Sequence, residues 1–249
     1  MKIIPVLDLL DGAAVHAVRG ERSRYRPVSS QLCEGSDPVD VARALLDHAN
    51  SSVIYVADLD GIMHGAPQQH ALMRLMRAMP GIELWLDAGF TDRDAASALI
   101  APLHATGANV TPVFGSESLR GPKEGSSMQP ALDADVDAPA SAVENAIPHD
   151  AILSLDRRHD TPLGDPAHWH DASGWPSRVI VMSLERVGSF EGPDLAAIAD
   201  VRRRAGQRQI IGAGGIRDAD DLRAAETAGA HAWLIASALH DRRIPAARR

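Results

Sequence analysis

The chain predicts an α/β protein, a (β/α)8 TIM barrel folded as a single domain over residues 1–249. Three observations point there. Eight apolar runs of strand length recur along the chain, amphipathic stretches lie between several of them, and 249 residues suit one barrel. A doubly wound open sheet is the competing architecture.

The first run, Ile3 to Leu7 in IIPVLDLLDG, ends on an acid, Asp8, ahead of a turn at Asp11-Gly12. A short β-branched run of this kind reads as a strand buried on both faces. Asp8 is then either a turn acid or a carboxylate at the rim of a core. The later runs are Val53 to Ala57, Glu83 to Leu86, Val110 to Phe114, Ala151 to Leu155, Val179 to Met182, Gln209 to Ile211 and Ala232 to Ile235. Helical patterns fill 37–49, 92–107, 193–206 and 218–230, several opening on Asp or Pro and several closing on Gly.

Two stretches break the rhythm. Residues 121–149, rich in Pro, Ala, Ser and Asp, predict an extended loop or insertion with at most one short helix near Ala140 to Ile147. It divides two half-barrels of about 1–120 and 150–249, a 4+4 internal repeat. Ala14 to Ser36 is long and carries Arg19, Arg22, Arg24 and Arg26. On a barrel it is either a solvated loop or a cover over the mouth.

Composition narrows the function. A formal charge of −8 and a pI near 5.7 argue against a nucleic-acid partner, since phosphate backbones are bound through excess Lys and Arg. The only lysines are Lys2 and Lys123. Cys33 stands alone, which rules out an internal disulfide and a Cys-rich metal site. No stretch reaches the roughly 18 apolar residues of a membrane span, and a cytoplasmic protein without a membrane or nucleic-acid partner is expected.

On a barrel the chemistry lies at the C-terminal ends of the strands. IIPVLD at 3–8 is echoed by AILSLD at 151–156, so the first and fifth strands both end in an acid, Asp8 and Asp156. Those strands are diametrically opposed in an eight-stranded barrel. Two facing carboxylates suit one acid and one base acting on opposite ends of a substrate, although two turn acids would read the same. In IIGAGGIRDADDL (210–222) a strand ends in a glycine turn before a helix, and AWLIASALHD (232–241) ends in small residues. Backbone amides at Gly214, Gly215, Ala236 and Ser237 are placed to converge on one phosphate, at the usual anion site of barrels.

These segments, with VADLDGIMHGAP, SLDRRHD, ERVGSFEGPDL and IASAL, resemble the histidine-biosynthesis barrel family of ProFAR isomerase and the cyclase subunit of imidazole glycerol phosphate synthase. The likeness runs nearly end to end and is that of a divergent relative. It implies an Amadori-type aldose–ketose isomerase acting on a phosphorylated sugar-like substrate, with Asp8 as base, Asp156 as acid and phosphate held by Gly214, Gly215, Ala236 and Ser237. It also implies that Gly192 belongs to the phosphate site. Arg186 and Gly188 are read as part of a loop that closes over the ligand, Arg19 as a substrate contact, and Asp58 and Arg158 either as supports of the acids or as simple turn residues. No cofactor or metal is implied.

The chain departs from the family pattern in several places. Three glycines after the third strand are replaced by Asp87-Ala88-Gly89, and the Gly-Thr-Ala after the fourth by Gly115-Ser116-Glu117. Asp87 and Glu117 thereby border the place where a second phosphate would sit, and like charges there disfavour it. On the sixth strand Thr-Asp becomes Met182-Ser183, which leaves Ser183 as the candidate for the catalytic Thr, and a later Asp is Val187. An Asp-Gly pair after the fifth strand becomes His159-Asp160. The asymmetry predicts a substrate with one phosphate and a neutral, hydroxylated or cationic far end.

Other readings stay open. Divergent relatives occur beside one-carbon cofactor genes, so a role in methanopterin or methanofuran biosynthesis is an alternative. So is a non-catalytic barrel that binds a phosphometabolite or serves a partner protein. His159, His168 and His170 match no standard zinc spacing and are read as loop residues.

Overall fold

The computed structural model describes residues 1–119 and 147–247. Eight parallel strands close into a barrel: β1 (Lys2–Leu10), β4 (Val53–Asp58), β5 (Glu83–Asp87), β6 (Asn109–Gly115), β7 (Ile152–Arg158), β9 (Arg178–Ser183), β10 (Gln209–Ala213) and β11 (Ala232–Ile235). β11 pairs back onto β1, with Lys2 opposite Ala232 and Pro5 opposite Ile235, and this leaves no open edge among the staves. In that closed order β1 and β7 are four staves apart and face one another. The predicted half-barrel insertion, 121–149, lies almost wholly outside the described residues.

The helices follow from local sequence. α1 (Pro38–Ala49), α4 (Arg93–His104), α5 (Leu195–Arg204) and α6 (Ala219–Thr227) each begin after an Asp whose side chain accepts from backbone N–H groups of the first turn: Asp37, Asp92, Asp194 and Asp218. Pro38 sits at the first position of α1, where its missing N–H costs nothing. α2 (Leu59–His64) and α3 (Gln69–Ala78) fill the space between β4 and β5.

Residue alternation sorts each stave into two cores. Ile4, Val53, Trp85, Val113, Ile152 and Ile211 pack inside the barrel. Leu7, Leu9, Ile54, Leu84, Leu153 and Val179 pack outward against the helices. At the N-terminal end the interior is plugged by a polar cluster, in which Glu83 Oε1 accepts from Trp85 Nε1 at 2.8 Å, Thr111 Oγ1 at 2.9 Å and Arg178 Nη1 at 2.9 Å. These partners hold the Glu83 carboxyl below its ordinary pKa despite burial. The cavity therefore opens at the other end.

Ala14 to Ser36 is not a plain loop. β1 runs past Asp8 to Leu10 and turns at Asp11-Gly12, both with positive φ (50° and 77°), into β2 (Ala13–His16), and β3 (Arg26–Pro27) pairs with β2. Two positive-φ residues in a two-residue turn match the twist of a hairpin. The hairpin stands over one side of the barrel mouth. A short β8 (Thr161–Pro162) pairs antiparallel with the end of β7.

Candidate active site

The inward phase of β1 is Ile4, Val6, Asp8, and that of β7 is Ile152, Ser154, Asp156. The same alternation that buries the valines and isoleucines thus carries one carboxyl from each of two facing staves into a single cavity. Asp8 is not at a strand end. It lies within β1, opposite Ala57 of β4 and Val15 of the hairpin. Burial pushes its pKa up to about 7, against a hydrogen bond from the Ala17 backbone N–H. Asp156 is 5% exposed. Its Oδ1 accepts from Ser154 Oγ at 2.6 Å and its N–H donates to Ser116 Oγ at 2.9 Å. Burial first, then the charges of Glu117 and Asp87, hold its pKa well above the carboxylate range. The two acids are therefore inequivalent: both are raised by burial, and Asp156 carries in addition the nearby charges of Glu117 and Asp87.

The loops after β10 and β11 line the same cavity through Gly214, Gly215, Ala236 and Ser237. Gly214 and Gly215 hold left-handed backbone (φ 81° and 82°), and a Cβ on Gly215 would run into the Gly192 carbonyl. Among the described residues nothing accepts the Gly214 or Gly215 N–H groups. Trp233 packs flat on Gly212, its partner across β10 and β11, and donates Nε1 to Gly214 O at 3.2 Å, which fixes the loop from behind.

Asp87, the inward residue at the end of β5, also lines the cavity. It accepts from Tyr55 Oη at 3.1 Å and from Gly89 N–H at 3.0 Å, and burial pushes its pKa up to about 6. Glu117 lies nearer the surface, 3.5 Å from Arg22. Arg158 reaches the cavity rim and donates to Gly20 O at 3.4 Å, and Gly188 approaches Ala17 too closely for any side chain.

Five expected residues stand elsewhere. Ser183, expected as a catalytic group, faces outward on β9: it accepts from Arg157 Nε at 3.0 Å and donates to Asp194 Oδ2 at 2.7 Å. Alternation gives the inward place to Met182, which lines the cavity instead. Asp58, 0% exposed, is the outward residue closing β4, where it caps α2 by accepting from Gly61 N–H and also accepts from Gln68 N–H. Arg19 and Arg186 both turn to Glu191, at 2.6 Å from its carboxylate and 3.1 Å from its carbonyl oxygen respectively, outside the cavity lining. Gly192 buttresses Gly215 and does not line the cavity. His159 and His170 are exposed and His168 is half-buried, and no cluster suited to a metal ion occurs among the described residues.

Sequence reading missed Tyr55, Tyr25 and Phe190, all of which line the cavity. Tyr55 had a signal, being the inward residue between Val53 and Ala57 on a stave that otherwise looks uniformly apolar. Tyr25 and Phe190 come from loops and had none.

A family model described as Histidine biosynthesis protein matches residues 2–124 and 172–245. An uncharacterized protein of Methanocaldococcus jannaschii is 28% identical over 96% of this chain and 93% of its own length. A protein of Jannaschia sp., named 1-(5-phosphoribosyl)-5-((5-phosphoribosylamino)methylideneamino) imidazole-4-carboxamide isomerase, is 26% identical over 97% of this chain and 94% of its own. A protein of the same name from Thermomicrobium roseum is 25% identical over 98% and 94%. No helix among the described residues is long and apolar enough to cross a membrane.

Proposed function

This chain belongs to the histidine biosynthesis protein family, and from that membership we propose that it is an isomerase of the Amadori type working on a sugar-like substrate anchored by one phosphate. The observation that carries the reading is the meeting of Asp8, Asp156 and the Gly214-Gly215 and Ala236-Ser237 loops on one cavity. Asp156, whose raised pKa favours the protonated form, gives a proton to the sugar ring oxygen as the C1–O bond breaks, leaving a C1=N iminium on an aldosylamine substrate. Asp8, poised near 7, removes the proton from C2 to give the enaminol; return of that proton to C1 and loss of the O2 proton to Asp156 give the amino-ketose and restore both groups. Atoms balance without a cofactor, because the product is an isomer of the substrate.

The relatives named as isomerases act, by that name, on a compound with two 5-phosphoribosyl groups. Asp87 and Glu117 argue that the far end of this substrate is not a phosphate. A buried carboxyl with a pKa near 6 is ionised above that pH and repels a dianion, whereas a hydroxyl or an ammonium is a donor it accepts. Turnover of ProFAR, followed by absorbance and mass, tests the reading. An enzyme-like rate would make the protein a histidine-pathway isomerase and overturn the single-phosphate proposal. Binding of a bis-phosphate at least as tight as that of its mono-phosphate half would also overturn it.

A further inference from the structure

Three successive staves bring two carboxyls to either side of one glycine. Asp87 ends the inward phase of β5, Asp156 lies on the inward phase of β7, and the inward position of β6 between them is Gly115. A Cβ on Gly115 would stand 3.0 Å from Asp156 Oδ2 and 3.6 Å from Asp87 Oδ2. The two oxygens are thus no further apart than the sum of those distances, and Gly115 puts no side chain between them.

Each carboxyl is held from its far side. Ser154 Oγ donates to Asp156 Oδ1, and Gly89 N–H donates to Asp87 Oδ1. Tyr55 Oη, buried on β4, donates to Asp87 Oδ2, the oxygen that faces the gap. Tyr55 feels the charges of Asp87, Asp156 and Asp8 in that order, which raises its own pKa well above the ordinary phenol.

We infer that Asp87 and Asp156 act as one electrostatically coupled pair across Gly115, with Tyr55 as the positioning residue that fixes Asp87 in it. The inference rests on the reading of Asp156 as the acid of the proposed reaction. Its physical content is that the two charges disfavour one another, so ionisation of Asp87 raises the pKa of Asp156 and favours its protonated form. Other groups surround the pair. Glu117, after β6, acts on both acids, and on Asp156 more strongly than Asp87 does; Asp58, at the end of β4, acts on Asp87, Asp8 adds negative charge from β1, and Arg22, Tyr25 and Arg158 stand at the mouth.

The test is an NMR titration of the full chain labelled at the aspartate carboxyl carbons, in wild type and in the Asp87→Asn, Glu117→Gln and Tyr55→Phe variants. Glu117→Gln is expected to lower the Asp156 midpoint while leaving its coupling to Asp87 intact. Asp87→Asn should lower the Asp156 midpoint by about one pH unit and turn a two-step curve into one step. An Asp156 curve unchanged in Asp87→Asn overturns the pair. Tyr55→Phe keeps both carboxyls and decides the matter where Asp87→Asn does not fold. Midpoints of both acids moving together support the pair, and a shift confined to Asp87 overturns it. Because the titration needs no substrate, its failure is separate from failure of the isomerase reading, which is judged by turnover.

Discussion

His16 Nε2 stands 2.9 Å from Ser237 Oγ and so ties the hairpin after β1 to the loop after β11. Ser237 lines the cavity and His16 supports it from behind, with Gly188 close by. One neutral hydrogen bond of this kind contributes about 1 kcal/mol, or roughly fivefold in affinity. His16→Ala should therefore weaken binding of inorganic phosphate about fivefold by calorimetry, and His16→Gln should retain most of it. Equal affinities for the wild type and His16→Ala would detach His16 from phosphate binding.

Asp8→Asn and Asp156→Asn should each lower kcat by about 10²- to 10⁴-fold, the usual worth of a positioned acid or base, while leaving ligand affinity within about twofold. The pH profile should rise through about 7 as Asp8 ionises. It should fall at higher pH as Asp156 loses its proton. A rate already flat at pH 6 would remove Asp8 from the role of base.

Stability should run against activity at Asp87. Its folded pKa, about 6, lies above the ordinary 3.8, so the fold binds the proton more tightly than the unfolded chain does. Its contribution is fully present below about pH 4 and is lost as pH rises through about 6. Asp87→Asn should then be more stable than the wild type at pH 8 by up to about 3 kcal/mol, and near parity at pH 4, in urea unfolding. A variant less stable at both pH values would mean that the Tyr55 and Gly89 hydrogen bonds outweigh the charge.

Gly212 has no room for a methyl group, because the Trp233 indole lies on its Cα. Gly212→Ala forces the indole away, and overpacking of this kind costs about 1–3 kcal/mol. The same movement breaks the Trp233 bond to Gly214, so phosphate affinity should fall together with the urea midpoint. A stability loss with unchanged affinity would show that the 214–215 turn holds its shape without Trp233.

Much of the barrel was legible because its strands are continuous apolar runs and its helices announce themselves with Asp caps. Ile3 to Leu7 and Ala232 to Ile235 can be read directly, and so can the helix starts at Asp37, Asp92, Asp194 and Asp218. Asp8 and Asp156 stand out for the same reason, as acids interrupting those runs. Ser183 was misplaced by one residue of phase: a run apolar on both faces does not say which face points inward, and adjacent positions face opposite ways. The hairpin at Ala13–His16 was missed although Asp11-Gly12 announces a two-residue turn, because its strands are short and mixed in polarity.

What the sequence determined by itself is the set of eight strands, their helical partners and the two acids that break the apolar pattern, since these depend on local periodicity and composition. Only the tertiary structure decided that Tyr55 reaches Asp87, that Gly115 lets Asp87 face Asp156, that Ser183 belongs to Arg157 and Asp194, and that His16 backs Ser237. Those relationships join residues tens to hundreds of positions apart, and they follow from the closure and stagger of the barrel, which place side chains of different staves at one height.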